Sequence, residues 1–203
     1  MMTPSTSYHP RSLRLRDGRE VSLRAAVSSD AAEIVQAFER LSADSRYKRF
    51  MQHKKQLNPA ALERGVHPQP GRDFMLLATI PAADGIDIVG GAQYVRAGEN
   101  NTSTCEFAIT VAEDWRGSGL ATDLLASLVH RAPHDGYTVM EGSVMAQNMP
   151  MLALARKLGF QVEPVPEDGT VVRVTRALKQ EMLPPVPVKP AAKNAATPPP
   201  SGP

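Results

Sequence analysis

The sequence predicts a mixed α/β domain, and three stretches carry that expectation. Phe74 to Ile80 is a nearly continuous apolar run of strand length, as in a strand covered on both faces. Leu120, Leu124, Leu125, Leu128 and Val129 recur at helical spacing. Between them, Thr104 to Thr122 reads as a strand that enters a glycine-rich turn and leaves it as a helix.

The remaining elements follow in chain order. Val21, Leu23 and Ala25 alternate with polar residues and form a short strand. Ser28-Ser29-Asp30 supplies N-cap candidates for a helix that sets Ile34, Val35, Phe38 and Leu41 on one face. A second capping pattern, Ser42 to Ser45, opens the shorter segment SRYKRFM. Asn58-Pro59 starts another brief helix, because proline is tolerated in the first turn. After the Phe74–Ile80 strand, the turn PAADG sends Ile86 to Val95 back as its partner. A loop around Glu99-Asn100-Asn101 leads into Thr104 to Val111. The helix from Gly119 to Arg131 stops at Pro133 and Gly136; Tyr137 to Val144 is a strand, and Met149 to Leu158 a helix closed by Gly159. Two short strands, Phe160 to Val162 and Thr170 to Thr175, complete the order β-α-α-β-β-β-α-β-α-β-β.

Composition bounds what this domain does. Of 203 residues, the last 25 hold 8 of the 18 prolines. Past Leu183 their only large apolar side chains are Val186 and Val188. Such a tail, residues 179–203, buries too little apolar surface to order itself. Residues 1–19 read as an extension, partly disordered, which leaves 20–178 as one domain with a proper core. The net charge of +2 belongs to the tail, since residues 1–178 carry 20 Lys and Arg against 20 Asp and Glu. A neutral body argues against a nucleic-acid binder. One cysteine, Cys105, excludes an intramolecular disulfide and a cysteine-cluster metal site, and no metal is expected. No apolar run approaches a membrane span, and the N-terminal arginines have no apolar segment behind them. The expectation is a cytoplasmic protein, monomer or homodimer, with no membrane partner.

The chemistry concentrates in TCEFAITVAEDWRGSGLAT, Thr104 to Thr122. Glycines in a strand-to-helix turn let backbone approach a ligand closely. The unpartnered amides at the start of the helix, with its dipole, suit a pyrophosphate, and Arg116 adds a charged donor. A glycine turn alone is a weak signal, because many such turns need glycine for geometry only.

The second half of the chain strengthens it. Arg116-x-x-Gly119-x-Ala121 resembles the acyl-CoA-binding motif of the GNAT N-acetyltransferases, whose pattern is Gln/Arg-x-x-Gly-x-Gly/Ala. Asn148, opening a helix that ends in Leu158-Gly159-Phe160, is similar to that family's second signature. The resemblance spans Glu20 to Arg176. It implies a GNAT fold: a central mixed, mostly antiparallel sheet of about seven strands with helices on both faces. A narrower resemblance joins Leu41 to Phe50, Cys105 to Ala108 and Ala153 to Phe160 to the catalytic domain of bacterial Pat-type protein lysine acetyltransferases. Those proteins often add an acyl-CoA-synthetase-like or cyclic-nucleotide-binding region, for which this chain has no room.

The resemblance implies an acetyl-CoA-dependent N-acetyltransferase acting by direct attack of an amine, on a protein lysine first and a small amine second. A non-catalytic acyl-CoA-binding module is the rival class, which Glu106 disfavours. Acyl transfer needs a neutral amine, and lysine's ordinary pKa is about 10.4, so a base must take its proton. Glu106 is that candidate, by strand alternation and by its match to the Pat-type glutamate; partial burial would raise its pKa, and the competing reading is a solvated strand residue. The Val111 amide is the expected donor to the thioester oxygen. The cofactor set is Ile109, Val111, Arg116, Gly117, Ser118, Gly119, Leu120, Ala121, Thr122 and Asn148, the last doubling as an N-cap. Many family members place a general-acid tyrosine where this chain has Ala155, a departure that Pat-type domains share. Trp115 reads as packing, and Cys105, His130 and His134 as non-catalytic. Arg46 to Lys55 is a basic stretch without an acid, either a solvated face or a rim that favours an acidic acceptor. Residues 52–72 are expected to decide the acceptor.

Overall fold

A computed structural model describes residues 8–179 apart from Asn100 and Glu167. The tail from residue 180 onward, and residues 1–7, lie outside the described residues. Eight strands form one sheet in the order β1-β2-β3-β4-β5-β6-β8-β7. They are β1 (Arg11–Arg14), β2 (Glu20–Ala25), β3 (Asp73–Ala82), β4 (Gly85–Arg96), β5 (Thr104–Val111), β6 (Val139–Met145), β7 (Gln161–Val165) and β8 (Asp168–Ala177). All neighbours are antiparallel except β5 and β6. The helices are α1 (Ala31–Arg40), α2 (Ala43–Phe50), α3 (Pro59–Val66), α4 (Leu120–Arg131) and α5 (Met149–Lys157).

One strand was not among the elements expected from the sequence. Residues 11–14, within the segment expected to be partly disordered, form β1 and pair in register with residues 20–23 of β2. The sequence RSLR has one apolar residue and no alternation to detect. What holds it is backbone pairing, a tight turn in which Gly18 takes φ +86°, and the buried Leu15. Three helices, α1, α2 and α3, stand where the predicted order has two, and strand ends shift by one to three residues.

Local chemistry sets the helix starts. The Ser42 side chain accepts from the Ser45 amide at 3.1 Å, and Asn58 accepts from Ala60 and Ala61. Asp30 departs from its expected role. Its carboxylate turns back to Arg24, at 2.6 Å, and to the Val27 amide, and is buried there. This pair ties β2 to α1.

The two faces of the sheet are separated at adjacent glycines of β4. A side chain on Gly90 would point at Leu120 and Leu124 of α4, 3.1 and 3.2 Å away. Gly91 points to the opposite face, toward Leu77. The α4 face carries the main core, where Leu120, Leu124, Leu125 and Leu128 are fully buried. The other face carries a smaller cluster, Ala26, Leu77 and Ile88, packed by Ile34, Ala37 and Met75.

Candidate active site

Strand β5 is paired along its whole length with β4 but meets β6 at only three positions, Thr104, Cys105 and Glu106. Beyond Glu106 the two parallel strands part. The Ala112 amide donates to Val89 of β4, while the Ser103 carbonyl accepts from Thr138 and Val139 beside β6. Alternation along the strand therefore turns the odd-numbered amides and carbonyls of β5 toward the β6 side. Those of Ile109 and Val111 face the opening, where no strand pairs with them.

The opening is a cleft of about 660 Å³. Its floor is β5 from Glu106 to Val111, one wall is the turn into α4, and the other is the start of α5 at Asn148. Gly117 and Gly119 both take positive φ, +77° and +95°, which aligns the first amides of α4 toward the cleft. Of the expected cofactor residues, Ile109, Val111, Arg116, Gly117, Gly119, Leu120, Ala121, Thr122 and Asn148 line it. Ser118 does not. Its side chain is buried, donates to the Trp115 carbonyl at 2.7 Å, and so braces the turn from inside. Asn148 caps α5 by accepting from the Met151 amide at 3.3 Å, and it also lines the cleft.

Arg116 is already engaged. Its guanidinium donates to the Ser45 hydroxyl at 2.6 Å and lies 3.6 Å from the Glu113 carboxylate. Glu113 also accepts from the Ser45 hydroxyl and from the Ser42 amide at 3.0 Å. Burial acts to raise the Glu113 pKa, but these hydrogen bonds outweigh it and bring the carboxyl down to about 2. The network locks the N-terminus of α2 to the turn that begins α4.

Register places Glu106 on the α1–α3 face. Its β4 partner is Val95, and Ala108 and Thr110 follow it opposite Gln93 and Gly91. No register shift interrupts β5, so Cys105 and Phe107 point into the main core instead. The partial burial expected of Glu106 is not found; the side chain is exposed in the cleft. Its charged neighbour is Arg49 of α2, whose pKa burial lowers to about 10 against the opposing attraction of Glu106. Glu141, the β6 residue in register with Glu106, stands beside it on the same face.

Two cleft-lining residues, Arg16 and Ser45, were not singled out for the site in the sequence. Arg16 follows β1, its amide donates to the Ser118 carbonyl at 3.1 Å, and its side chain lies 3.3 Å from where a Cβ on Gly119 would sit. It brings a second cation to the glycine turn, and nothing in its sequence context marks it. Ser45 of α2 also reaches the cleft, and so do Lys48 and Arg49 from the basic stretch noted in the sequence. Trp115 is a packing residue, as expected, buried with the Arg19 guanidinium 3.9 Å over its ring. Cys105 is fully buried, and burial pushes its thiol up to about 12, which suits no nucleophile. Ala155 is fully buried, with no acid at that position. Among the described residues no cluster of acids, His and Cys suits a metal, and no helix is long and apolar enough to cross a membrane.

A splayed parallel strand pair, free amides along its edge and a glycine turn with two arginines suit a thioester on a long pyrophosphate-bearing arm. That combination defines an acyl-CoA-dependent transferase. Residues 32–160 match the acetyltransferase (GNAT) family, to which the chain belongs. Its co-substrate is acetyl-CoA, which supplies the activated acetyl group, and the residues lining the cleft fit that molecule. The chain is 30% identical over 158 residues to acetyltransferase PA5475 of Pseudomonas aeruginosa, covering 78% of this chain and 84% of that one. It is 27% identical over 150 residues to acetyltransferase Pat of Mycolicibacterium smegmatis, covering 74% of this chain but only 44% of the relative. The GNAT domain of S. lividans PAT superposes with a TM-score of 0.76 at 26% identity, over 83% of this chain and 97% of that domain. The protein is an N-acetyltransferase.

Proposed function

We propose that the acceptor is the side-chain amine of a lysine in a protein, acetylated by direct attack on the thioester. The observation that carries this reading is Glu106, exposed at the point where β5 leaves β6 and turned to the α1–α3 face. The sequence resemblance to Pat-type protein lysine acetyltransferases favours lysine, and the likeness to the S. lividans PAT domain over nearly its whole length supports that resemblance. An amine entering from that face meets the Glu106 carboxylate, which takes its proton. The Val111 amide donates to the thioester oxygen, and Ile109 and Val111 pair with the amide-bearing arm as an added strand would. Arg16, Arg116 and the α4 amides hold the phosphates. The thiolate leaves without a side-chain acid, since Ala155 offers none.

Glu106→Gln keeps the shape and removes the base. With a lysine peptide and a folded protein as acceptors, CoA release is expected to fall by roughly a hundredfold or more. The shift in melting temperature on adding acetyl-CoA stays. An unchanged rate in the variant removes Glu106 from the mechanism. Turnover on small amines alone, with peptides and proteins inert, replaces the lysine assignment.

A further inference from the structure

On the α1–α3 face lies a second cavity, of about 160 Å³. Its walls are almost wholly apolar: Phe38 from α1, Phe50 from α2, Leu62 from α3, and Met75, Leu77 and Ile88 from the sheet. An apolar cavity of about 150 Å³ is enough to hold a benzene ring. This one is therefore sized for a single large side chain. It is also not isolated from the catalytic cleft, because Arg49, Ala108 and Thr110 line both. Ala108 is two residues along β5 from Glu106, about 7 Å at strand rise.

Arg49 is the cavity's one charged residue, and among the described residues it forms no ion pair or hydrogen bond. Its guanidinium lies 4.6 Å from the Phe50 ring centroid. Arg49 is half-buried where the two spaces meet, so a second cation brought to the cavity would lie close to its charge and be repelled.

Resting on the lysine reading above, we infer that this cavity seats an apolar side chain of the acceptor, one or two residues from the acetylated lysine. Consecutive Cα atoms are about 3.8 Å apart. A lysine amine at Glu106 and a neighbouring Leu, Met or Phe at Ala108 thus fit one short segment. Small flanking residues leave the cavity unfilled, and a flanking Lys or Arg meets Arg49. Specificity comes from both the attraction and the repulsion.

The test is a series of peptides with one lysine, flanked by Leu, Phe, Ala or Arg, acetylated by the full chain. The expected kcat/KM for Leu or Phe exceeds that for Ala by about tenfold or more, the discrimination a buried apolar group gives. Arg falls below Ala. Ala61→Leu, which enlarges a residue of α3 at the cavity's edge, is expected to bring the Leu-to-Ala ratio close to one. Gly91→Ala is the second variant; its methyl would stand 3.5 Å from Leu77, an ordinary contact, and is expected to lower the ratio as well. The acetyl-CoA thermal shift reports that each variant is folded. Peptides acetylated regardless of their flanks overturn this inference and leave the lysine reading intact. A flank preference that survives in both variants overturns the cavity as its source. Inert peptides beside active small amines overturn both readings together.

Discussion

A single carboxylate shows how much environment adds to residue type. Glu113 stands two residues before Trp115, and nothing in the sequence singles it out. In the fold it accepts from Ser42 and Ser45 and pairs with Arg116, and its pKa drops from 4.5 to about 2. A carboxyl whose pKa is depressed on folding stabilises the fold fully above its unfolded value. That contribution is lost as pH falls from about 4.5 through about 2. Thermal midpoints of the wild type are expected to drop more steeply over this window than those of Glu113→Gln. Parallel curves would mean that the network adds nothing to stability. Arg116 has to serve this network and the cofactor phosphates alike.

Among the elements, the β5–β6 pair makes the site, because its short contact leaves an edge for the ligand. The packing at the fork is tight. A Cβ on Gly142 of β6 would lie 2.7 Å from the Phe107 ring, the first β5 side chain past the paired stretch. Phe107 is itself held against Phe160, with ring centroids 5.2 Å apart. It has no room to yield. Gly142→Ala is expected to destabilise the fold by about 1–3 kcal/mol, as overpacked cores do. Chemical denaturation would read this directly, and an unchanged midpoint would show that the fork adjusts freely. The glycine has ordinary backbone angles, so its need is for space alone.

Across the whole molecule, the cleft is assembled from segments far apart in the chain. Arg16 comes from the N-terminal hairpin, Arg49 from α2, Glu106 from β5 and Asn148 from the start of α5. Arg16 lies beside Gly119 because β1 closes the sheet edge and carries the chain over the α4 turn. Arg16→Ala is expected to raise the KM for acetyl-CoA roughly tenfold, the scale of one charge-assisted hydrogen bond, with kcat less affected. An unaltered KM would leave Arg116 and the helix amides as the whole phosphate site.

The sequence by itself determined the α/β class, the glycine turn and the cofactor, and it placed Glu106 on β5. Those depend on short-range patterns: apolar runs, helical spacing, and glycines where backbone must bend. Strand β1 was hidden, since pairing of a polar edge strand is a backbone property that no side-chain pattern records. Ser118 looked like a ligand because spacing cannot tell which side of a turn a hydroxyl faces; burial against Trp115 decided that. Arg16, Glu141 and the apolar cavity exist as features only through register and packing between distant segments. Which residues share a site is a matter of which surfaces meet, and only the tertiary structure fixes that.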